Sequence, residues 1–454
     1  MKEVSESCAV FGIRSNDDVF DRIYYGLYSM QHRGQESAGI ATFSDKMRIY
    51  KDMGLVSEVF KNRELKGNVG IGHVRYSTTG DSNIENAQPL MINYAKGNFA
   101  IAHNGNLTNS DELRTKLERK GSVFMTTTDT EIIAYLIALE HIKTGNFIEG
   151  IKNAMNQLKG SYSLTILNKN KVIAVRDPWA FRPLVYGRTD DTHVVASESC
   201  ALDALDIELV RDVKAGEILI IGNGVESYTG VKEKISHCMF EYVYFARADS
   251  VLDGVSAYGV RKNLGRILYE EGHVDADMVI AVPDSGITTA IGYARASGLP
   301  YGEGLIKNRY LGRTFILPEQ DKRKQGVRIK LNPVRSEVED KRIVLVDDSI
   351  VRGTTIKRII TLLKKFGASE VHVRISCPPI RCPCHYGIDM QTREEFIAKE
   401  KTVEEIRREI GADSLVYTSL EGLIEAIGLP REKLCVACLT GEYPIRKEQM
   451  RLRL

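Results

Sequence analysis

The sequence predicts a chain of two domains, an α+β domain followed by an α/β domain. Three observations support this prediction. The chain has 454 residues, more than a single domain usually holds. Short β-branched runs between turn residues dominate its first half, whereas apolar strands alternate with amphipathic helices in its second half. The stretch 227–236 is polar and separates the two patterns. We therefore expect one domain over residues 8–230 and another over 231–454.

The elements of the first half are short strands and two helices. Residues 163–167 and 171–175 are β-branched runs separated by Asn168-Lys169-Asn170, which predicts a hairpin. Residues 217–221 are a further apolar run, closed by a glycine-containing turn. Helices are expected at 110–120 and 129–144. This mixture is typical of sheets covered by helices.

The second half repeats a strand, a polar loop and a helix. Residues 278–282 and 342–346 are apolar strands, each followed by a helical pattern. The helix after the second strand has apolar residues on one face and is expected to end at Gly367. Such repeats predict a doubly wound, mostly parallel sheet, which binds its ligands at the carboxyl ends of the strands.

Composition excludes several classes of protein. The chain has 62 Lys and Arg and 60 Asp and Glu, so its net charge is +2. Neither a basic surface that binds duplex nucleic acid nor an acidic tail is therefore expected. Mean hydropathy is −0.20, and no apolar run reaches the length of a membrane span. The N-terminus lacks the apolar stretch of an export signal, and the eight cysteines are too few for a disulfide scaffold. We therefore expect a cytoplasmic protein.

The stretch 344–355 leaves a predicted buried strand and enters a helix. Two adjacent carboxylates are followed by a small, hydroxyl-rich loop, and the free N–H groups of a helix start bind phosphate. Carboxylates that can hold ribose hydroxyls and Mg²⁺ beside a phosphate loop predict a sugar-phosphate pocket. A plain helix cap is the alternative, but the motif is longer than a cap needs. The candidate ligands are Asp347, Asp348, Ser349, Arg352, Gly353, Thr354 and Thr355.

This stretch resembles the phosphoribosyl-diphosphate signature of the type I phosphoribosyltransferases. The resemblance implies that the loop 282–288 holds diphosphate and that Ser285 joins Asp347 and Asp348 at one Mg²⁺ per subunit. An ordinary turn is an equal alternative for that loop. The basic stretch from Lys307 to Lys330 resembles the mobile substrate-binding loop of the family, although such charge runs are usually solvated surface.

A single cysteine near the N-terminus, Cys8, precedes an apolar run and would ordinarily be a core residue. Four later motifs change this interpretation. Together with Cys8 they resemble the glutaminase domain of the N-terminal-nucleophile amidotransferases over about the first 230 residues. The resemblance implies an αββα sandwich in which the thiol of Cys8 attacks glutamine. The motifs are Gln31–Ser37, Gly72–Ser77, Ala102–Leu107 and Thr127–Glu131.

The resemblance also assigns roles in the glutamine pocket. Arg75 would bind the substrate carboxylate and Asp129 its α-ammonium, while Asn104 and the N–H of Gly105 would stabilise the oxyanion. Structural alternatives remain open at this stage. Thr128 with Glu131 fits a capping box, which would leave Asp129 as a helix-start residue. The Asn104-Gly105 pair is also a common turn dipeptide.

The catalytic base in this family is the α-amine of the nucleophile itself. Its pKa, near ~8, suits it to accept a proton at neutral pH. Residues 1–7 would therefore be a leader that is removed to free Cys8.

Four further cysteines predict a metal centre. A C-x-x-C pair in a cytosolic protein can be redox-active, can bind zinc or can bind an iron–sulfur cluster, and a set of four thiolates suits zinc and a 4Fe–4S cluster equally. Resemblance to the amidotransferase family favours one structural 4Fe–4S cluster per subunit, with Cys382 as an alternative to Cys384. Cys200 and Cys377 are expected to be core thiols. The candidate ligands are Cys238, Cys384, Cys435 and Cys438.

Both resemblances together cover essentially the whole chain and point to the glutamine phosphoribosylpyrophosphate amidotransferase family. They imply that glutamine and phosphoribosyl diphosphate give 5-phosphoribosylamine, glutamate and diphosphate, the first step of de novo purine synthesis. A homotetramer and feedback by purine nucleotides are implied as well. Three alternatives are a hexosamine-forming amidotransferase, an asparagine synthetase and a non-enzymatic sensor of phosphoribosyl diphosphate. The motif at 344–355 disfavours the hexosamine-forming enzyme. An asparagine synthetase would need an ATP-pyrophosphatase loop, which the sequence lacks. A sensor would have no use for Cys8.

Overall fold

A computed structural model describes residues 8–76, 82–308, 331–388, 390, 394 and 396–445. The predicted leader 1–7, Lys330 and nearly all of the predicted basic loop lie outside the described residues.

Two antiparallel sheets form the centre of the first half. The first has seven strands in the order β11-β9-β10-β1-β4-β2-β3 and the second has six in the order β13-β12-β8-β7-β6-β5. The predicted strands at 163–167, 171–175 and 217–221 are confirmed as β7, β8 and β12. The strands are β1 (Ala9–Arg14), β2 (Ser37–Phe43), β3 (Met47–Met53), β4 (Val69–Arg75), β5 (Leu90–Tyr94), β6 (Gly97–Leu107), β7 (Gly160–Asn168), β8 (Lys171–Arg176), β9 (Val185–Arg188), β10 (His193–Ala196), β11 (Glu208–Asp212), β12 (Glu217–Ile221) and β13 (Val225–Thr229).

Helices cover the outer faces of both sheets. Phe11 and Val74 of the first sheet share a buried apolar cluster with Leu27 of α1. Ile101 of the second sheet packs with Ile133 of α4. A third cluster fills the space between the two sheets, so the layers are helix, sheet, sheet and helix as expected. These helices are α1 (Phe20–Ser29), α2 (Val56–Val59), α3 (Ser110–Glu118), α4 (Asp129–Thr144), α5 (Phe147–Met155) and α6 (Cys200–Asp203).

The second half contains a parallel sheet in the order β17-β20-β21-β22. Alternate residues of its second strand point to opposite faces. Val344 packs with α8, whereas Leu345 packs with α10. Both predicted strand–helix units are therefore confirmed. The strands are β17 (Met278–Ala281), β20 (Arg342–Asp347), β21 (Glu370–Ile375) and β22 (Ser414–Tyr417), and the helices are α7 (Ala257–Glu271), α8 (Ile287–Ser297), α9 (Arg335–Val338), α10 (Thr354–Lys365), α11 (Val403–Ile410), α12 (Leu420–Ile427) and α13 (Ala437–Thr440).

Three small strand pairs complete the described structure. The pair β14–β23 is parallel and aligns Cys238 with Cys435, which brings a late segment of the chain to the junction between the two halves. None of the helices in the described part of the chain is long and apolar enough to span a membrane. The small strands are β14 (His237–Cys238), β15 (Val251–Leu252), β16 (Val255–Ser256), β18 (Leu305–Lys307), β19 (Leu331–Pro333) and β23 (Leu434–Cys435).

Candidate active sites

Cys8 lies immediately before β1 and is buried. Its Sγ donates a hydrogen bond to the carbonyl oxygen of Tyr76 at 3.4 Å. Strands β1 and β4 are neighbours, and their register pairs Ala9 with Val74, which places Arg75 beside the cysteine. Burial raises the pKa of the Cys8 thiol, and the Arg75 guanidinium offsets only part of this effect. The thiol therefore needs a base in order to act as a nucleophile.

Arg75, the predicted carboxylate ligand, is 2% exposed at the end of β4. Its guanidinium forms a salt bridge of 2.5 Å with Glu36. Glu36 belongs to the motif Gln31–Ser37, but nothing in that motif predicts its pairing with Arg75. The ion pair fixes the position of the Arg75 guanidinium inside this buried pocket.

Asp129 begins α4 and is held by two groups from β6. Its Oδ1 lies 3.2 Å from Nδ1 of His103, and its Oδ2 accepts a hydrogen bond of 2.9 Å from the N–H of Leu107. Burial opposes ionisation, but His103 and the N–H of Leu107 outweigh it, and the pKa of Asp129 is lowered. The capping-box alternative is wrong, because Thr128 forms no side-chain cap and Glu131 instead accepts from the N–H groups of residues 125 and 126.

Asn104 and Gly105 lie within β6 and do not form a turn, so the turn alternative is also wrong. Asn104 is fully buried, and neither its Nδ2 nor its Oδ1 has a hydrogen-bond partner among the described residues. A Cβ on Gly105 would lie 2.2 Å from the carbonyl oxygen of Ser161, so the close approach of β7 requires glycine here. A buried, unpartnered amide is costly and needs an explanation.

Gln88 connects these groups, and the sequence interpretation missed it. Its Oε1 accepts a hydrogen bond of 2.8 Å from the N–H of His103, and its Nε2 donates to Oγ1 of Thr130 at 2.9 Å. The neighbouring residues of Asn104 and Asp129 are thereby fixed relative to each other. In addition, Nε2 of His73 in β4 bonds to the carbonyl oxygen of His103 at 3.0 Å. Burial lowers the pKa of His73 to about 3, so this imidazole is neutral and donates.

The second site is at the carboxyl end of β20. Asp347 and Asp348 are each 7% exposed. Oδ1 of Asp347 accepts from the N–H of Asp348 at 2.9 Å and from Oγ of Ser285 at 3.5 Å. Oγ of Ser349 donates to Oδ2 of Asp348 at 2.6 Å. The structure thus brings both predicted aspartates together with the serine from the loop after β17.

The loop between β20 and α10 begins the helix as the sequence predicts. Gly353 has a φ of 75°, which favours glycine, and a Cβ there would lie 2.5 Å from Cδ1 of Ile397. Thr354 and Thr355 form the first turn of α10, directly after Arg352 and this glycine. Their backbone N–H groups are therefore at a helix start, where phosphate binds favourably.

Lys307 ends β18 and lies beside the predicted diphosphate loop. Its Nζ forms a salt bridge of 2.6 Å with Oδ2 of Asp284. The ammonium group is exposed and already paired in this structure. Lys330, its predicted partner at the other end of the basic stretch, is outside the described residues.

The predicted metal-centre cysteines gather at the pair β14–β23. Burial raises the pKa of Cys435, and the nearby Cys238 and Cys384 raise it further. The same three cysteines are charge neighbours of Cys438. The N–H of Cys382 bonds to the carbonyl oxygen of Cys438 at 3.0 Å, so this alternative ligand is close as well. In the described ranges, no three His, Cys, Asp or Glu side chains are arranged to hold a single metal ion.

Comparison with known proteins identifies the family. A model described as a glutamine amidotransferase domain matches residues 73–204, and one described as a phosphoribosyl transferase domain matches residues 251–402. The amidophosphoribosyltransferase of Methanocaldococcus jannaschii is 54% identical in an alignment of 460 positions that covers 96% of this chain and 97% of that protein. The chain belongs to the amidophosphoribosyltransferase family. Its enzyme class and its two-domain fold are thereby confirmed.

Relatives of this family from Bacillus subtilis agree over almost the whole chain. The amidophosphoribosyltransferase of that organism is 50% identical, over 98% of this chain and 95% of the relative. A solved structure of the Bacillus subtilis glutamine phosphoribosylpyrophosphate amidotransferase, in complex with ADP and GMP, matches with a TM-score of 0.92 at 49% identity and covers 98% of both chains. Another matching structure, with a TM-score of 0.92 and 48% identity, is that of an allosteric regulatory enzyme of purine biosynthesis.

Proposed function

We propose that this chain releases ammonia from glutamine at Cys8 and adds it to phosphoribosyl diphosphate at Asp347 and Asp348. The products are 5-phosphoribosylamine, glutamate and diphosphate, and the reaction is the first step of de novo purine synthesis. The relatives named amidophosphoribosyltransferase support the overall reaction. The observation that carries the glutaminase half is the buried Asn104 amide, whose two polar atoms have no partner among the described residues.

In the glutaminase half, the Cys8 thiol attacks the side-chain amide carbon of glutamine. Its proton passes to the α-amine of Cys8, which is available once residues 1–7 have been removed, and then to the departing ammonia. Arg75 binds the substrate carboxylate and Asp129 its α-ammonium. Since Asp129 is ionised and buried, it is suited to that role.

Asn104 and Gly105 complete the glutaminase half. The Nδ2 of Asn104 and the N–H of Gly105 donate to the oxyanion that forms on the amide carbon. An oxyanion donor of this kind contributes about 3–4 kcal/mol to the transition state. This role explains why the Asn104 amide has no partner among the described residues: its partner is the transition state. Water then hydrolyses the thioester and releases glutamate.

In the phosphoribosyltransferase half, Asp347 and Asp348 bind the ribose hydroxyls. Ser349, Arg352, Gly353, Thr354 and Thr355 bind the 5-phosphate at the start of α10, where N–H groups and the helix dipole favour anions. Lys307, together with Lys330, which lies outside the described residues, binds the diphosphate through its positive charge. Ammonia from the first site attacks the reacting ribose carbon, and diphosphate leaves.

Mg²⁺ fits this second site. Asp347, Asp348 and Ser285 offer only oxygen donors, and Mg²⁺ prefers such donors together with substrate phosphates. We propose one ion per subunit, held by these three residues. When bound, it supplies positive charge to the departing diphosphate.

A 4Fe–4S cluster fits the cysteine set. Burial raises the pKa of Cys238 to about 12, so a bare thiolate is costly there and a cationic centre would stabilise it. Four thiolates around one zinc ion, with Zn–S bonds of about 2.3 Å, would be packed closely. In a four-iron cluster each thiolate binds a different iron, so the ligands are further apart. The described cysteines gather at the pair β14–β23, which supports a single shared centre.

We therefore propose one structural 4Fe–4S cluster per subunit, with Cys238, Cys384, Cys435 and Cys438 as ligands. Iron and sulfide analysis of anaerobically purified protein tests this proposal. Four irons per chain are expected for the wild type and fewer for Cys435→Ser. Zinc without iron would contradict it.

We also propose a cytoplasmic homotetramer that purine nucleotides inhibit. The nucleotide part is supported by the Bacillus subtilis structure with ADP and GMP. Sedimentation tests the oligomeric state, and inhibition by ADP and GMP tests the nucleotide part. A monomer at all concentrations would contradict the homotetramer. Activity that neither nucleotide changes would contradict the proposed inhibition.

The main experiment measures glutamate and diphosphate together. Anaerobic protein, checked by intact mass for removal of residues 1–7, is given glutamine with and without phosphoribosyl diphosphate and Mg²⁺. We expect strong stimulation and release of the two products in a ratio of one. Glutaminase activity indifferent to phosphoribosyl diphosphate would show that the proposed acceptor is wrong.

A further inference from the structure

Four buried charged side chains form a network directly behind Cys8. Arg33 and Arg182 are each 1% exposed, Glu198 is fully buried and Glu241 is 2% exposed. Nη1 of Arg33 donates to Oε1 of Glu198 at 2.5 Å, and its Nη1 and Nη2 donate to the two oxygens of Glu241 at 2.9 and 2.8 Å. Arg182 donates to the same Glu241 at 3.0 Å. Two positive charges thus face two negative charges, and the set is neutral.

Arg33 also contacts the nucleophile residue. Its Nε donates a hydrogen bond of 3.2 Å to the carbonyl oxygen of Cys8. Three further hydrogen bonds of the guanidinium go to Glu198 and Glu241, so its planar fork fixes the orientation of the Nε–H. Arg33 therefore holds the backbone of Cys8, and with it the α-amine and the thiol. The position of Arg33 depends in turn on the carboxylates of Glu198 and Glu241.

The two carboxylates come from different parts of the chain. Glu198 follows β10 in the first sheet. Glu241 lies beyond the predicted domain boundary, in the π-helical turn 241–245 just after β14. Its second partner, Arg182, donates to the carbonyl oxygen of Tyr386 at 2.9 Å, and the N–H of Tyr386 bonds to Sγ of Cys384 at 3.3 Å. The nucleophile is thus connected to the phosphoribosyltransferase half through Glu241.

We propose that Glu241 is a positioning residue for glutamine hydrolysis, acting on Cys8 through Arg33. The inference rests on the proposed function, because it presumes that Cys8 is the nucleophile. The described hydrogen bonds of the Glu241 carboxylate are to Arg33 and Arg182, and none of them is to the Cys8 thiol. Glu241 fixes the guanidinium that binds the Cys8 carbonyl, and so sets the direction in which the α-amine and thiol point.

The experiment shortens this side chain while keeping its charge. Glu241→Asp retains a neutral network but cannot reach both arginines with the same geometry. A misplacement of about 1 Å at a reacting group can cost about 100-fold in rate. We expect the kcat of glutamine hydrolysis to fall about 10- to 100-fold, while the KM for glutamine and the ammonia-dependent synthesis of phosphoribosylamine stay within about threefold.

A matched control separates positioning from domain docking. Asp253 also forms a buried ion pair across the two halves, with Nη1 and Nη2 of Arg176 at 2.8 and 2.9 Å, but has no contact with Cys8 or Arg33 among its described partners. Asp253→Asn is compared with Glu241→Gln, and both are expected to lower the melting temperature. Only the Glu241 variants should slow glutamine hydrolysis per folded molecule. They should also slow alkylation of Cys8 by iodoacetamide, read by mass.

Three results would overturn the positioning role of Glu241. Equal effects of the Asp253 and Glu241 variants on kcat would overturn the positioning role, as would a Glu241→Asp enzyme with wild-type kcat. Equal loss of glutamine-dependent and ammonia-dependent synthesis would overturn it too. If wild-type protein without residues 1–7 does not hydrolyse glutamine, the proposed function fails instead.

Discussion

Replacing Asn104 by alanine should separate catalysis from stability. The amide is fully buried, and neither of its polar atoms has a partner among the described residues. Such a group costs the folded state about 1–3 kcal/mol. Alanine removes that cost but also removes packing contacts worth a similar amount, about 1–2 kcal/mol. We therefore expect the free energy of unfolding to change by less than about 1 kcal/mol.

The same change removes an oxyanion donor. The kcat for glutamine hydrolysis should fall about 100- to 1,000-fold, equivalent to about 2.7–4 kcal/mol in the transition state. Synthesis from added ammonia should be unchanged, because that route does not pass through the glutaminase site. Glutamate release, ammonia-dependent diphosphate release and thermal unfolding are measured on the same preparation.

Asn86→Ala is the matched control. Asn86 is also fully buried, but its Nδ2 donates to Oγ1 of Thr127 at 2.8 Å and its Oδ1 accepts from the N–H of Thr127 at 3.0 Å. Its loss breaks both hydrogen bonds to Thr127, an exposed residue that water can reach, and should destabilise the protein by about 0.5–1.5 kcal/mol for each bond. A strongly destabilised Asn104→Ala protein with near-normal glutaminase activity would refute the reasoning for Asn104.

Three further outcomes are expected. Cys8→Ser should lose glutamine-dependent synthesis and keep ammonia-dependent synthesis, and loss of both in a folded protein would contradict two separate sites. The double change Asp347→Asn, Asp348→Asn should abolish phosphoribosyl transfer and leave basal glutaminase, whereas unchanged transfer would contradict the role of the pair. Burial and the nearby Asp253 raise the pKa of Asp212 to about 6, so the folded state binds this proton more tightly than the unfolded state does. Stability should therefore fall as pH rises from about 4 through 6. Asp212→Asn should reduce that fall in urea titrations, and an unaltered pH profile would show that Asp212 does not contribute.

The fold was largely predictable because local patterns determine it. The run 217–221 became β12 with the same bounds, and α4 spans the expected residues 129–144. Apolar side chains at strand and helix spacing carry this information within a few residues. The boundary near residue 230 stays a prediction.

Site residues could be predicted where they belong to a recognisable motif, even when the motifs are far apart in sequence. Asp347, Asp348 and the start of α10 follow one another in sequence, and the structure joins them to Ser285 as expected. Gln88 and Glu241 were missed because neither belongs to a motif and their roles depend on partners that only the fold brings near. A buried glutamine between His103 and Thr130 looks like any polar residue until the sheets are assembled.

The parallel pair β14–β23 has a consequence for biosynthesis on the ribosome. Cys238 emerges with the middle of the chain, but Cys435, its strand partner, is translated long after it. The glutaminase sheets can fold as soon as their strands have emerged, because domains fold as units in the order of synthesis. The junction between the two halves cannot fold at that point, because β23 has not yet been translated. Until β23 has been translated, Cys238 and the cysteines near it are free thiols. Iron and sulfide would therefore have to be delivered after translation, and the proposed centre would form last.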